Sequence, residues 1–174
     1  MAQSITVNGH IEASNSTVKA SMLHGIKDLR IVGDFICIYP DPSTHMIPLS
    51  ENRSLPSPGL DEVQVAVQTT GLCGSDLHYF NHYRNGDIIV QEPLTLGHES
   101  AGVVVAIGSQ VKGFEIGDKV ALEVGLPCME CELCQEGRYN ICKKLRFRSS
   151  AKSFPHFQGT LQEKINHPAN MCYK

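Results

Sequence analysis

A mainly β fold, a small barrel carrying metal-binding loops, is what this sequence predicts, and three observations predict it. Residues 63–68 and 119–124 alternate apolar and polar side chains with a period of two, and 101–107 is a continuous apolar run with three consecutive valines. Amphipathic patterns long enough for a helix are scarce. Four cysteines crowd into one stretch at Cys128, Cys131, Cys134 and Cys142, in a spacing that only an irregular loop can fold onto one ion.

The elements follow in chain order. Residues 1–18 are polar and lack the apolar core of a signal peptide, which predicts a disordered tail. Residues 19–174 then form one domain, since a chain of 174 residues that is 41% hydrophobic and 19% charged can bury a real core. The turn pair Pro58-Gly59 precedes the first clear strand at 63–68. Residues 73–79 make the best short helix, with Gly74-Ser75-Asp76 supplying capping chemistry at its start. The strand at 101–107 follows, and Gly117-Asp118 turns the chain into the strand at 119–124. Pro127, Gly137 and Asn140 provide turns around the cysteines.

Charge and cysteine usage exclude several classes of function. A net charge of −3 and a pI near 6.2 give no reason to expect a nucleic-acid or membrane partner. No apolar run approaches the roughly 18 residues of a membrane span. Seven cysteines with Cys-x-x-Cys spacing suit metal in a reducing compartment better than a secreted disulfide framework, so a soluble cytoplasmic protein is expected.

The spacing Cys128-x2-Cys131-x2-Cys134-x7-Cys142 reads as a closed structural zinc site, because four thiolates saturate a tetrahedral ion. Three alternatives stand beside it. The cysteines could be plain thiols or disulfides. An iron-sulfur run would show a shorter last gap ending in Cys-Pro. A nucleic-acid finger would use Lys143, Lys144, Arg146 and Arg148, but the histidine half of a finger is missing. Cys73, His98 and Glu99 read as a second, open site. Taken singly, Cys73 would be a small buried hydrophobe and His98-Glu99 a solvated pair. Cys37 and Cys172 have no partner pattern and are expected as free thiols, and His10, His24, His45, His82, His156 and His167 receive no functional role.

Gly97-His98-Glu99-x2-Gly102-x5-Gly108-x2-Val111 matches the zinc signature of the medium-chain alcohol dehydrogenases, and residues 71–79 resemble the first-ligand segment of their polyol (sorbitol) branch. The resemblance covers about residues 19–174 and implies a GroES-like, partly open β-barrel with short helices, two Zn2+ ions, and oxidation of a small-molecule polyol with NAD. It implies Cys73 and His98 as catalytic-zinc ligands, with Glu99 either a third ligand or one step removed. Asp76 would orient the His98 ring. Ser75 would take the substrate proton, His78 would pass it on, and Tyr79 would touch the substrate; Phe147 and Ser150 align with pocket positions. Tyr79 and Phe147 could equally be core aromatics.

Two departures from the family shape the expectation. No Gly-x-Gly-x-x-Gly turn occurs in these residues, so the Rossmann coenzyme-binding domain of the full-length family is expected to be missing, and NAD with it. Residues 33–50 also interrupt a segment that runs on in relatives; they carry Pro40, Pro42 and Pro48 and neither period. We read them as an insertion, either a retained intron, since 18 residues keep the frame, or a surface loop. Three function classes follow. They are the zinc-binding part of a polyol dehydrogenase inactive alone, a stand-alone barrel that binds or regulates by pairing with itself or full-length relatives, and a non-functional product.

Overall fold

The computed structural model describes residues 16–32 and 53–174, so the expected insertion at 33–50, most of the expected tail and Cys37 lie outside the described residues. The strand predicted first in the sequence is the spine of the larger sheet: β5 (Glu62–Gly71, numbered in chain order) runs antiparallel to β9 (Glu99–Ile107). Both outrun the segments read from the sequence, because the ladder continues past the apolar stretch as far as the pair Gly71↔Glu99. That last pair puts the end of β5, two residues before Cys73, beside the start of β9, immediately after His98. β10 (Lys119–Leu122) flanks β9 and β13 (Lys164–Pro168) flanks β5; β14 (Cys172–Tyr173) completes the order β13-β5-β9-β10-β14. β10 is shorter than the expected 119–124, since the Glu123 N–H turns to the carbonyl of Met171.

Val63, Val65, Val104, Val120, Leu122, Ile165 and Cys172 interlock as the core of this sheet. They come from alternate positions of their strands, as period-two burial requires. Cys172 is a free thiol there, and burial pushes it up to about 11.

A second layer contains β2 (Ala20–Gly25) between β3 (Asp28–Val32) and β8 (Leu94–Thr95), with Leu23, Tyr79, Val90, Leu94, Leu96 and Ala151 beneath it. The two layers are joined where Ala20 bridges Gln162 and the Ser21 N–H reaches the Leu161 carbonyl. The ladders do not close into one ring among the described residues, which makes the barrel partly open, as expected.

β1 (Ser16–Val18) pairs with β4 (Arg53–Leu55). This corrects the N-terminal boundary: residues 16–18, placed by composition in the tail, are a strand because Val18 has a buried place against the barrel. A short hairpin of β6 (Arg84–Asn85) and β7 (Ile88–Ile89) follows the helix α1 (Gly74–His82). β11 (Gly125–Leu126) pairs with β12 (Arg146–Phe147), and between them the cysteine loop carries the single helical turn α2 (Glu132–Gln135). No helix among the described residues is long and apolar enough to cross a membrane.

Candidate metal centres

The four-cysteine loop answers a geometric question. The sulfurs of Cys128 and Cys134 are 4.0 Å apart, Cys131 and Cys134 3.5 Å, Cys131 and Cys142 3.9 Å, and Cys142 and Cys128 3.5 Å. A tetrahedron with zinc–sulfur bonds of about 2.3 Å has edges of about 3.8 Å, whereas a disulfide needs about 2.05 Å. The loop thus fits a tetrahedral ion and not a pair of disulfides. The N–H groups of Glu130 and Cys131 point at Cys128 and bring its thiol down to about 6. Burial pushes Cys134 up to about 12, so without a metal this cluster would not hold four thiolates at neutral pH. The basic residues after the loop are accounted for in part by the Lys144–Glu130 pair at 2.7 Å.

Cys73, His98 and Glu99 form the other cluster, with a ligand atom of each within 4.8 Å of the others. Three pieces of local structure place them. Cys73 is itself the N-cap of α1, with Asp76 closing a capping box, which moves the expected cap from residues 74–76 back by one. His98 follows Gly97, whose φ is +86°; a Cβ there would lie 2.7 Å from Thr70 and 2.8 Å from Leu161, so only glycine lets the strand pass. Glu99 leans over Gly71, where a Cβ would come within 2.6 Å of Glu99 Oε2.

Asp76 is the hub beneath these ligands and is almost wholly buried. Its Oδ2 accepts the Cys73 N–H (3.1 Å) and its Oδ1 the Gly97 N–H (2.9 Å). His98 Nδ1 stands 3.5 Å from Oδ1, has no other hydrogen-bond partner and is buried. That distance is long for a well-formed bond but close for a charge. His98 Nε2 lies 3.5 Å from Ser75 Oγ, on the side of the ring that is left to a metal. Asp76 and, to a smaller degree, Cys73 raise His98 to about 9 against its burial. The Ser75 N–H and hydroxyl, then His98, lower Cys73. Burial pushes Asp76 up, but His98 and the two N–H groups outweigh it and hold it below the usual carboxylate range. A soft thiolate, an imidazole and a carboxylate around an incomplete shell suit zinc with an open position.

The remaining expected residues separate. The Phe147 ring lies tilted beside that of His98, centroids 5.4 Å apart, and is 39% exposed. His78 is exposed on the next turn of α1 beyond Ser75, with its ring 6.0 Å from His82. Tyr79 is buried in the core, its hydroxyl accepting the Ala151 N–H at 3.3 Å. The structure therefore places it behind the site, supporting the segment after Ser150, rather than at an open face. Ser150 Oγ accepts the Lys152 N–H, and its backbone bridges Phe157.

Several residues carry the site that the sequence did not mark. Ser149 Oγ donates to Asp76 Oδ1 at 3.0 Å. Ser100 bonds Thr70 (2.9 Å) and Thr160 behind Glu99. His167, fully buried, accepts Arg148 Nε at Nδ1 (3.0 Å); burial, then Arg148, brings it down to about 3, which keeps it a neutral acceptor. His156 clips residues 153–157 to the 91–92 turn, accepting the Gln91 N–H at 2.8 Å. Hydroxyls and histidines are too common for their spacing alone to have flagged these contacts.

The partly open barrel, the four-sulfur loop and the Cys-His-Glu cluster are the frame of a GroES-like domain. Residues 59–174 match the alcohol dehydrogenase GroES-like domain, and the chain belongs to that family. The chain is 43% identical over 120 residues to sorbitol dehydrogenase of Arabidopsis thaliana and 42% identical over 120 residues to L-idonate 5-dehydrogenase of Vitis vinifera; each alignment covers 69% of this chain and 32% of the relative. Among solved structures, an oxidoreductase/dehydrogenase of unknown specificity from Escherichia coli superposes with a TM-score of 0.72 at 33% identity, over 91% of this chain and 40% of that one. The chain thus spans about a third of the length of the curated relatives it matches.

Proposed function

We propose that this chain is the zinc-binding part of an NAD-dependent polyol dehydrogenase, of the sorbitol or xylitol type, that oxidises a secondary alcohol to a ketose when joined to a coenzyme-binding domain, acting in the cytoplasm. The observation that carries the reading is the convergence of Cys73, His98 and Glu99 above Asp76, with the exposed ring of Phe147 beside His98. Cys73, His98 and Glu99 would hold one zinc, and Cys128, Cys131, Cys134 and Cys142 the other. Zinc at the open site supplies Lewis acidity toward a substrate hydroxyl.

The chain's own residues do the rest. Asp76 keeps the His98 ring turned so that Nε2 faces the ion. Ser75 Oγ, beside Nε2, takes the hydroxyl proton, and exposed His78 on the next helical turn passes it to solvent. Phe147 supplies an apolar wall beside His98 for the carbon losing hydride, and a pocket role for Ser150 rests on the resemblance alone. A nicotinamide held by a coenzyme-binding domain would accept the hydride from the alcohol carbon. These 174 residues carry no dinucleotide turn of their own.

The decisive experiment joins residues 1–174 to the coenzyme-binding half of Arabidopsis sorbitol dehydrogenase. Polyol-dependent NADH formation that vanishes in Cys73→Ala supports the proposal. A folded, zinc-loaded chimera without turnover on sorbitol, xylitol or related polyols refutes it.

A further inference from the structure

Ser149 is absent from every part of that scheme, yet among the described residues it is the one side chain from outside α1 and the Gly97-His98 turn that reaches the buried carboxylate. Its hydroxyl is 3.0 Å from Asp76 Oδ1, the oxygen that also faces His98 Nδ1. Both residues are buried, Ser149 at 3% and Asp76 at 2% exposure. In such a setting a hydroxyl that donates to a carboxylate fixes its rotamer firmly.

The backbone around Ser149 shows that this contact is held in place. Ser149 has a φ of +59°, in the left-handed region that a serine seldom adopts. The preceding Arg148 anchors the segment at three points: His167 Nδ1 at 3.0 Å, the Gln158 carbonyl at 3.2 Å and the Asn166 carbonyl at 2.6 Å. Its guanidinium also covers the Phe157 ring at 4.6 Å. On the other side, the Ala151 N–H is tied to Tyr79 on α1. The turn is thus clamped to β13 and to α1, with its hydroxyl aimed at Asp76. The same segment carries Phe147 against the outer face of His98.

We infer that Ser149 is a positioning residue for the open metal site: it fixes the Asp76 carboxylate, and through it the His98 ring, so that Nε2 is presented to the ion. The inference rests on the proposed zinc function of Cys73, His98 and Glu99. Because the hydroxyl shares Oδ1 with His98, it also draws electron density from the oxygen that polarises the ring. Removing it alters both the placement and the donor strength of His98 without touching a ligand.

The test uses the 174-residue chain with zinc retained in the four-cysteine loop, stripped at the open site by mild chelation and titrated with Co2+. The visible bands of a site with one thiolate separate from those of a four-thiolate site. Ser149→Gly removes the hydroxyl and suits the positive φ; Ser149→Ala removes it while keeping the Cβ. Both should weaken Co2+ binding at the one-thiolate site about tenfold, the lower end for outer-shell partners, and shift its band positions. Zinc content of the four-cysteine loop should stay at the parental value. Parental affinity and band positions in both variants would overturn the inference alone. So would an equal loss at the two metal sites, which marks a merely structural serine. A parental chain that takes no Co2+ at the one-thiolate site would overturn the zinc reading as well.

Discussion

Deleting residues 33–50 should stabilise the protein, and the register on either side of the segment says by how much. Val32 pairs with Ala20 and Arg53 with Val18, so a single residue, Lys19, separates the two pairs on one strand, while residues 33–52 separate them on the other. After deletion Glu51 and Asn52 would face Lys19, two residues against one, which is the count of a β-bulge. The gap to be spanned is about 7 Å, two residues of strand, and three Cα steps reach about 10 Å, so the join is unstrained. Replacing a 20-residue excursion by a two-residue one lowers the closure entropy by (3/2)RT ln 10, about 2 kcal/mol. For a domain of this size that is a rise in Tm of about 4–8 °C. Thermal unfolding and size-exclusion chromatography would read it. The apolar run at 35–39 is β-prone and uncharged, so less aggregate is expected as well. A Tm that is unchanged or lower after deletion would refute the insertion reading and make 33–50 a structural loop.

Further expectations concern the two metal centres. Cys131→Ser should lower Tm by about 10 °C or more, and Cys73→Ser by much less, because a structural ion contributes several kcal/mol of folding energy; equal losses in calorimetry would contradict that division. In the metal-free chain, His98 has its pKa raised from 6.5 to about 9, so it contributes stability that is fully present below pH 6.5 and lost as pH rises through 9. Asp76→Asn should flatten that slope in urea titrations; an unaltered slope would sink the assignment. Metal binding must displace the same proton, so calorimetry in buffers of different ionisation enthalpy should show net proton release near pH 7.5. The purified 174-residue chain should form no NADH with any polyol, even with zinc added, and turnover above the blank would mean that it holds a nicotinamide unaided.

The strands were legible because burial on one face forces a period of two, which marked residues 63–68 and 119–124, and because 101–107 is an unbroken apolar run. The cysteine loop was legible because sulfur spacing alone restricts what four thiolates can hold, and Cys73, His98 and Glu99 stood out because the motifs around them resemble those of a known family. What sequence could not supply was proximity across long separations. The pairing of Gly71 with Glu99 brings Cys73 to His98, and nothing local in either segment predicts that register. Ser149, Arg148, His167 and Tyr79 show the same limit: their roles consist of single hydrogen bonds to residues far along the chain, made by common side chains with no periodic signature. Composition also misjudged residues 16–18, whose strand exists only because β4 and the barrel offer a partner ladder and a buried place for Val18. The sequence by itself determined the elements and the chemistry of the donor atoms, since both are written in local residue types. Only the tertiary structure decided which donors meet, which serine holds the carboxylate and which tyrosine is core, because those outcomes depend on packing between segments that the chain keeps far apart.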